Sequence, residues 1–175
     1  MERRKALRLQ SYDYASDGVY FVTVCTKERK CILGAVVGAD VRIGPYMKLS
    51  RYGETVETCI RQMPGVEQYT VMPNHIHLLL RLQNGPVGTP GPVRTPGPVR
   101  TPAPTGGEQK RQSLPMVIRW LKRETTLRCG VPLWQRSYYD HIVRDEADFL
   151  RIWNYIDTNP ARWAKDRYYE TGGSL

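Results

Sequence analysis

The run Val71-Met72-Pro73-Asn74-His75-Ile76-His77-Leu78-Leu79-Leu80-Arg81-Leu82 sets the strongest limit on how this chain can fold. Apolar and β-branched residues follow a Pro-Asn turn signal, which predicts a strand. Alternate side chains of a strand share a face, so His75 and His77 point one way and Ile76 the other. Two imidazoles close together on rigid backbone make half of a divalent-metal site. Read alone, the pair also fits a strand whose histidines merely hydrogen-bond at its margin. The chain holds 3 histidines, and two of them stand here.

Such a strand needs a sheet and a core around it. A length of 175 residues, 41% of them hydrophobic, is enough for one domain with a real core. We expect residues 1–175 to form that single domain. Lys and Arg number 26 against 17 Asp and Glu, a net charge of +9. This balance favours a polyanionic partner, nucleic acid before an anionic membrane. The bland alternative is a basic soluble protein with no such partner. No apolar run is long enough to span a bilayer. Met1-Glu2-Arg3-Arg4-Lys5 is not followed by the apolar segment of a secretory signal. The expectation is a cytoplasmic, nucleoid-associated protein with no membrane partner. Cys25, Cys31, Cys59 and Cys129 are scattered without a Cys-x-x-Cys pair, so they read as free thiols.

Taken in order, residues 1–12 are a basic segment, either an arm against phosphates or a solvated tail. Val19 to Thr26 predicts a strand, central in its sheet because no polar alternation interrupts it. Cys31 to Ile43 suggests a short strand or hairpin. From Pro45 to Met63 apolar residues recur at three- and four-residue steps, predicting a helix that Pro64-Gly65 stops. Val66 to Val71 is an extended lead-in to the histidine strand. Residues 84–108 carry a proline- and glycine-rich hexapeptide repeat with nothing to pack, an exposed inset. Arg94 and Arg100 could tether DNA there, but a tolerated expansion explains the repeat more simply.

Ser113-Leu114-Pro115 opens a second helix that Gly130 closes, with Arg119, Lys122 and Arg123 off its apolar face. That basic face fits a phosphate backbone or plain solvent equally well. Val131 to Val143 is a loop running into a strand. Its aromatics beside Arg136 and Arg144 suit base stacking with phosphate contact. Trp134 and Tyr139 are assigned to packing all the same. A last helix begins near Asp145-Glu146, and Pro160 ends or kinks it. Tyr155 and Asn159 share a face of it, one turn apart. The basic, aromatic tail at 161–175 could dock on the body or on a partner subunit.

A phenol and an amide oxygen one turn apart, brought before a His-x-His strand, would form a device for phosphodiester chemistry. Here the sequence resembles the single-tyrosine HUH transposases, the IS200-like family. Met72-Pro73-Asn74-His75-Ile76-His77-Leu78-Leu79 is similar to their histidine–hydrophobic–histidine motif. Trp134 to Arg144 and Tyr155-Ile156-Asp157-Thr158-Asn159-Pro160 resemble two further blocks of the REP-associated tyrosine transposase branch. The likeness runs from about Tyr14 to Ala164 in matching order, interrupted only by the repeat.

That resemblance implies a ferredoxin-like α+β fold, an antiparallel sheet with helices packed on it. The HUH motif would lie on a central strand and the catalytic tyrosine on a C-terminal helix. It implies metal-dependent cleavage and rejoining of single-stranded DNA at hairpins such as repetitive extragenic palindromes. The reaction would pass through a 5′-phosphotyrosine, with Mg²⁺ or Mn²⁺ and no nucleotide cofactor, often in a homodimer. By position, Tyr155 would be the nucleophile and His75, His77 and Asn159 the metal ligands. Some relatives have glutamine where this chain has Asn159. Arg119, Lys122, Arg123, Arg136 and Arg144 are the candidate DNA contacts. Tyr138 and Tyr139 are rival nucleophiles without a ligand one turn on, and His141 is a rival ligand. Two other functions fit parts of the pattern: a non-catalytic single-strand-binding module, and a metal-dependent phosphohydrolase using water.

Overall fold

The computed structural model describes residues 13–38, 44–84 and 112–169. The basic segment 1–12, nearly all of the repeat inset and the end of the tail lie outside the described residues.

Strand β1 (Gly18–Cys25) is the centre of an antiparallel sheet. It pairs along its whole length with β5 (His75–Leu82) and, on its other side, with β6 (Tyr139–Ile142). Strand β4 (Val66–Met72) completes the order β4-β5-β1-β6. Helix α1 (Arg51–Arg61) connects β1 to β4, and α2 (Leu114–Cys129) connects β5 to β6. This is the ferredoxin-like α+β arrangement. A hairpin of β2 (Gly34–Val37) and β3 (Tyr46–Leu49) is inserted before α1. Helix α3 (Glu146–Asp157) and a 3₁₀ turn (Pro160–Lys165) follow the last strand.

Two predicted boundaries move. Residues 71–82 are not one strand: Pro73-Asn74 is the turn between β4 and β5, so Val66–Met72 is a full strand rather than a lead-in. The segment from Pro45 to Leu49 is not helical, because it is spent on the ladder with β2. Ser50 starts α1 instead, its Oγ accepting from the Gly53 N–H at 3.2 Å. Gly65 holds a left-handed φ of 75° where a Cβ would meet the Arg81 carbonyl oxygen at 2.2 Å, so the entry to β4 needs a glycine.

Strand alternation divides the molecule into two layers. Tyr20, Val22, Val24, Ile76, Leu78 and Leu80 face α1 and α2, forming the main core with Ile60, Ile118 and Leu121. Phe21, Leu79 and their neighbours face α3, packing against Ile152 and Ile156. His75 and His77 belong to the second face, as the alternation of β5 demands. The sheet is therefore covered on both sides, which explains why β1 and β5 read as apolar runs without a solvent face.

Candidate active site

The imidazoles of His75 and His77 are buried, with their Nε2 atoms 3.0 Å apart. Each ring is fixed from behind. His75 Nδ1 meets Asn74 Oδ1 at 2.9 Å, and His77 Nδ1 meets Thr23 Oγ1 at 2.8 Å. An Nδ1–H donated to each oxygen leaves two Nε2 lone pairs facing one another, an arrangement that calls for a shared cation or proton. Burial pushes His75 down to about 4 and His77 well below its ordinary value, so both rings are neutral at pH 7.

Helix α3 brings the phenol. Asp145 caps its first turn, its Oδ1 accepting from the Asp148 N–H at 2.8 Å. Ile152 and Ile156 seat it on Leu79. The Tyr155 hydroxyl then lies 3.3 Å from His77 Nε2, its ring edge-on to Phe21. One turn later Asn159 is buried, and its Oδ1 has no hydrogen-bond partner.

The 3₁₀ turn folds the chain back over this group, so the first part of the predicted tail docks on the body. Asp166 Oδ2 accepts from the Tyr155 hydroxyl at 3.3 Å and from Asn159 Nδ2 at 3.2 Å. The Tyr168 N–H donates to Asp166 Oδ1 at 2.7 Å, and Asn74 Nδ2 donates to the Tyr168 carbonyl at 2.8 Å. The Tyr168 ring lies 4.7 Å from the His75 ring. Burial first, and then the Asp166 carboxylate, push the Tyr155 phenol up to about 12.

His75, His77 and Asp166 form a cluster able to hold a metal ion, their ligand atoms all within 4.8 Å of one another. Two nitrogens held about 2.1 Å from one ion at a right angle stand about 3.0 Å apart, the spacing of this pair. The orphaned Asn159 Oδ1 is a further oxygen of the kind a hard cation takes. The residues present therefore fit a divalent ion.

No protein-family model matches the chain. A Haemophilus influenzae protein named only "Uncharacterized protein" is 30% identical over 179 residues, covering 97% of this chain and 94% of its own length. A second protein of that organism, named "Putative REP-associated tyrosine transposase", is 26% identical over 152 residues, 86% of this chain and 74% of its own. A solved REP-associated tyrosine transposase, bound to a REP hairpin, shares the fold with a TM-score of 0.52 at 19% identity. That match covers 93% of this chain and 76% of the other. The chain belongs to the REP-associated tyrosine transposase branch.

In this member of the branch, the remaining sequence-named residues fall in several places. Arg119, Lys122, Arg123 and Arg136 line one groove between α2 and the loop before β6, on the sheet face away from Tyr155. Lys122 is spent structurally, its Nζ donating to the carbonyls of Gln135, Arg136 and Ser137. Arg144 lies apart from them, in a shallow groove at the start of α3. Trp134 is packed, its Nε1 donating to Thr125 Oγ1 at 2.7 Å. Tyr139 is not: its ring is 40% exposed, which corrects its assignment to packing. Tyr138 points into the main core. His141 meets Asp148 Oδ2 at 2.7 Å and lies outside the His75–His77–Asp166 cluster. That contact holds the Asp148 carboxyl down at about 2.

Three residues of the site carry no sequence signal of their own. Asp166 is neither in a motif nor at a helical spacing from Tyr155. Thr23 reads as one residue of an apolar strand. Asn74 stood in a quoted motif as a turn former. The alternation of β1 was the one available clue, because Thr23 faces the same side as Phe21 and pairs with His77 in the ladder.

Proposed function

We propose that this protein is a metal-dependent transposase and endonuclease that cleaves and rejoins single-stranded DNA at hairpin, REP-like sequences. The observation that carries this reading is the phenol of Tyr155 held 3.3 Å from an imidazole whose neighbours form a cation site. Its placement lets the phenol and an ion on the imidazoles address one phosphate. The related transposase solved with a REP hairpin supports a hairpin substrate here.

His75, His77 and Asn159 would hold Mg²⁺ or Mn²⁺, with Asp166 adding negative charge beside them. When bound, the ion supplies Lewis-acid polarisation of a phosphodiester oxygen. Tyr155 Oη forms the bond to phosphorus and the bond to the 3′-oxygen breaks, leaving a 5′-phosphotyrosine and a 3′-OH. Asp166 Oδ2 already accepts the phenolic hydrogen bond, so it is the group that takes that proton and returns it when a 3′-OH reverses the step. Asn159 Nδ2 and the Tyr168 N–H keep this carboxylate in place. Thr23 and Asn74 hold the two rings with their Nε2 atoms inward. Tyrosine suits the task because a phenolate leaves more readily than an alkoxide, so the linkage stays reversible. Arg119, Arg123, Arg136 and Arg144 are the surface guanidinium groups proposed for the DNA backbone.

The test incubates labelled hairpin oligonucleotides with Mn²⁺ and protein, then runs a denaturing gel. Wild type forms a protein–DNA band that EDTA abolishes and Tyr155→Phe lacks. Strand cleavage that persists in Tyr155→Phe would instead favour hydrolysis by water, and DNA binding with no cleavage would favour a binding module.

A further inference from the structure

A cavity of about 510 Å³ opens beside the Tyr155–His77 pair, between β6 and α3. Its contents differ from those of the phosphate-handling site. Phe21 and Ile152 give it an apolar floor, Tyr139 lies along one wall, and Arg151 and Arg167 supply positive charge. The Tyr139 ring is 40% exposed although it belongs to a sheet strand. The Arg167 guanidinium lies 5.5 Å from its centroid and 4.6 Å from that of Tyr168, so it bridges the two rings. An exposed aromatic ring steadied by an arginine, above an apolar floor, is what a nucleobase stacks on. A base inside a duplex has both faces already stacked, so only an unpaired base can use this ring. The volume falls in the range of small-ligand sites and is too enclosed for a helical stem.

We infer that this cavity is a subsite for one unpaired nucleotide next to the cleaved phosphate, its base stacked on Tyr139 and its backbone met by Arg151 and Arg167. The inference rests on the transposase reading and adds a way to choose single strands at the point of chemistry. It also gives β6, an edge strand of the sheet, a role besides carrying His141.

The experiment measures binding of fluorescein-labelled oligothymidylate 12-mer, and of the same backbone with every base removed, in EDTA and in a Tyr155→Phe background. Tyr139→Ala is expected to weaken binding of the base-bearing strand about tenfold or more, the scale of one base–aromatic stack. It should leave the abasic strand unchanged, and Tyr139→Trp should restore the loss. Equal affinity of Tyr139→Ala and its parent for oligothymidylate would overturn the proposal, as would an equal loss on both strands. Circular dichroism melts of each variant identify a folding defect. If Tyr139→Ala is unfolded, photocrosslinking of a 5-iodouracil-containing strand decides: a crosslink on β6 supports the subsite, and its absence there refutes it. None of these readouts requires cleavage. A missing covalent adduct would therefore sink the transposase mechanism alone, and a missing Tyr139 effect would sink the subsite alone.

Discussion

Protonation of the imidazole pair should cost this protein stability in a defined pH window. In the unfolded chain each histidine titrates near 6.5, whereas burial holds folded His75 at about 4 and His77 well below 6.5. The unfolded chain therefore binds protons that the folded chain refuses, and stability falls as pH drops from 6.5 toward 4. At pH 5 an ordinary histidine is almost fully protonated while folded His75 is still about nine-tenths neutral. The resulting loss between pH 7 and pH 5 is about 2 kcal/mol from His75, with His77 acting in the same direction. Asp148 titrates at about 2 in the fold, so its ion pair weakens only at more acid pH and leaves this window undisturbed. Urea unfolding in EDTA at pH 7 and pH 5 measures the loss, and a His75→Asn/His77→Gln variant supplies the reference. The wild type should lose about 2 kcal/mol more than the variant over this interval. Equal losses in the two proteins would refute the claim that these rings are held neutral by burial.

Other outcomes follow from the same geometry. Mn²⁺ at a hundred times its dissociation constant should stabilise the wild type by about 2.7 kcal/mol in thermal melts, and His77→Ala should abolish the shift. Asp166→Asn should slow adduct formation about a hundredfold at saturating Mn²⁺ in single-turnover assays, since it removes the proton acceptor. Leu79→Ala empties the contact under Ile152 and Ile156 and should cost about 2–5 kcal/mol in urea unfolding. Gly65→Ala should destabilise by about 1 kcal/mol or more in the same assay, through its left-handed φ and the Arg81 carbonyl.

The parts legible in the sequence are those with a local period. His75 and His77 share a face because a strand repeats every two residues, and Tyr155 and Asn159 do because a helix repeats near every four. Once β5 and α3 pack through Leu79, the two pairs meet. Asp166 escaped because nothing local ties it to Tyr155. A 3₁₀ turn after Pro160 returns the chain, and hydrogen bonds with Asn159 and Tyr168 fix the carboxylate. Leu49 and Tyr52 matched the helical step by coincidence, while the ladder between β2 and β3 took Tyr46–Leu49 into a strand. Tertiary pairing overrode local propensity there. Arg144 and the arginines of α2 were grouped by charge alone, and charge does not say which face of the sheet a residue will occupy.

The central claim is that the Tyr155 oxygen becomes bonded to the 5′-phosphate of the cleaved strand. Mass spectrometry of the trapped adduct after nuclease and trypsin treatment tests it directly. Cleavage after Arg151 and Arg162 releases a peptide in which Tyr155 is the sole tyrosine, while Tyr138 and Tyr139 leave together in the peptide from Ser137 to Arg144. The account predicts the added nucleotide mass on Tyr155. That mass on the Ser137–Arg144 peptide, or on neither, would contradict it.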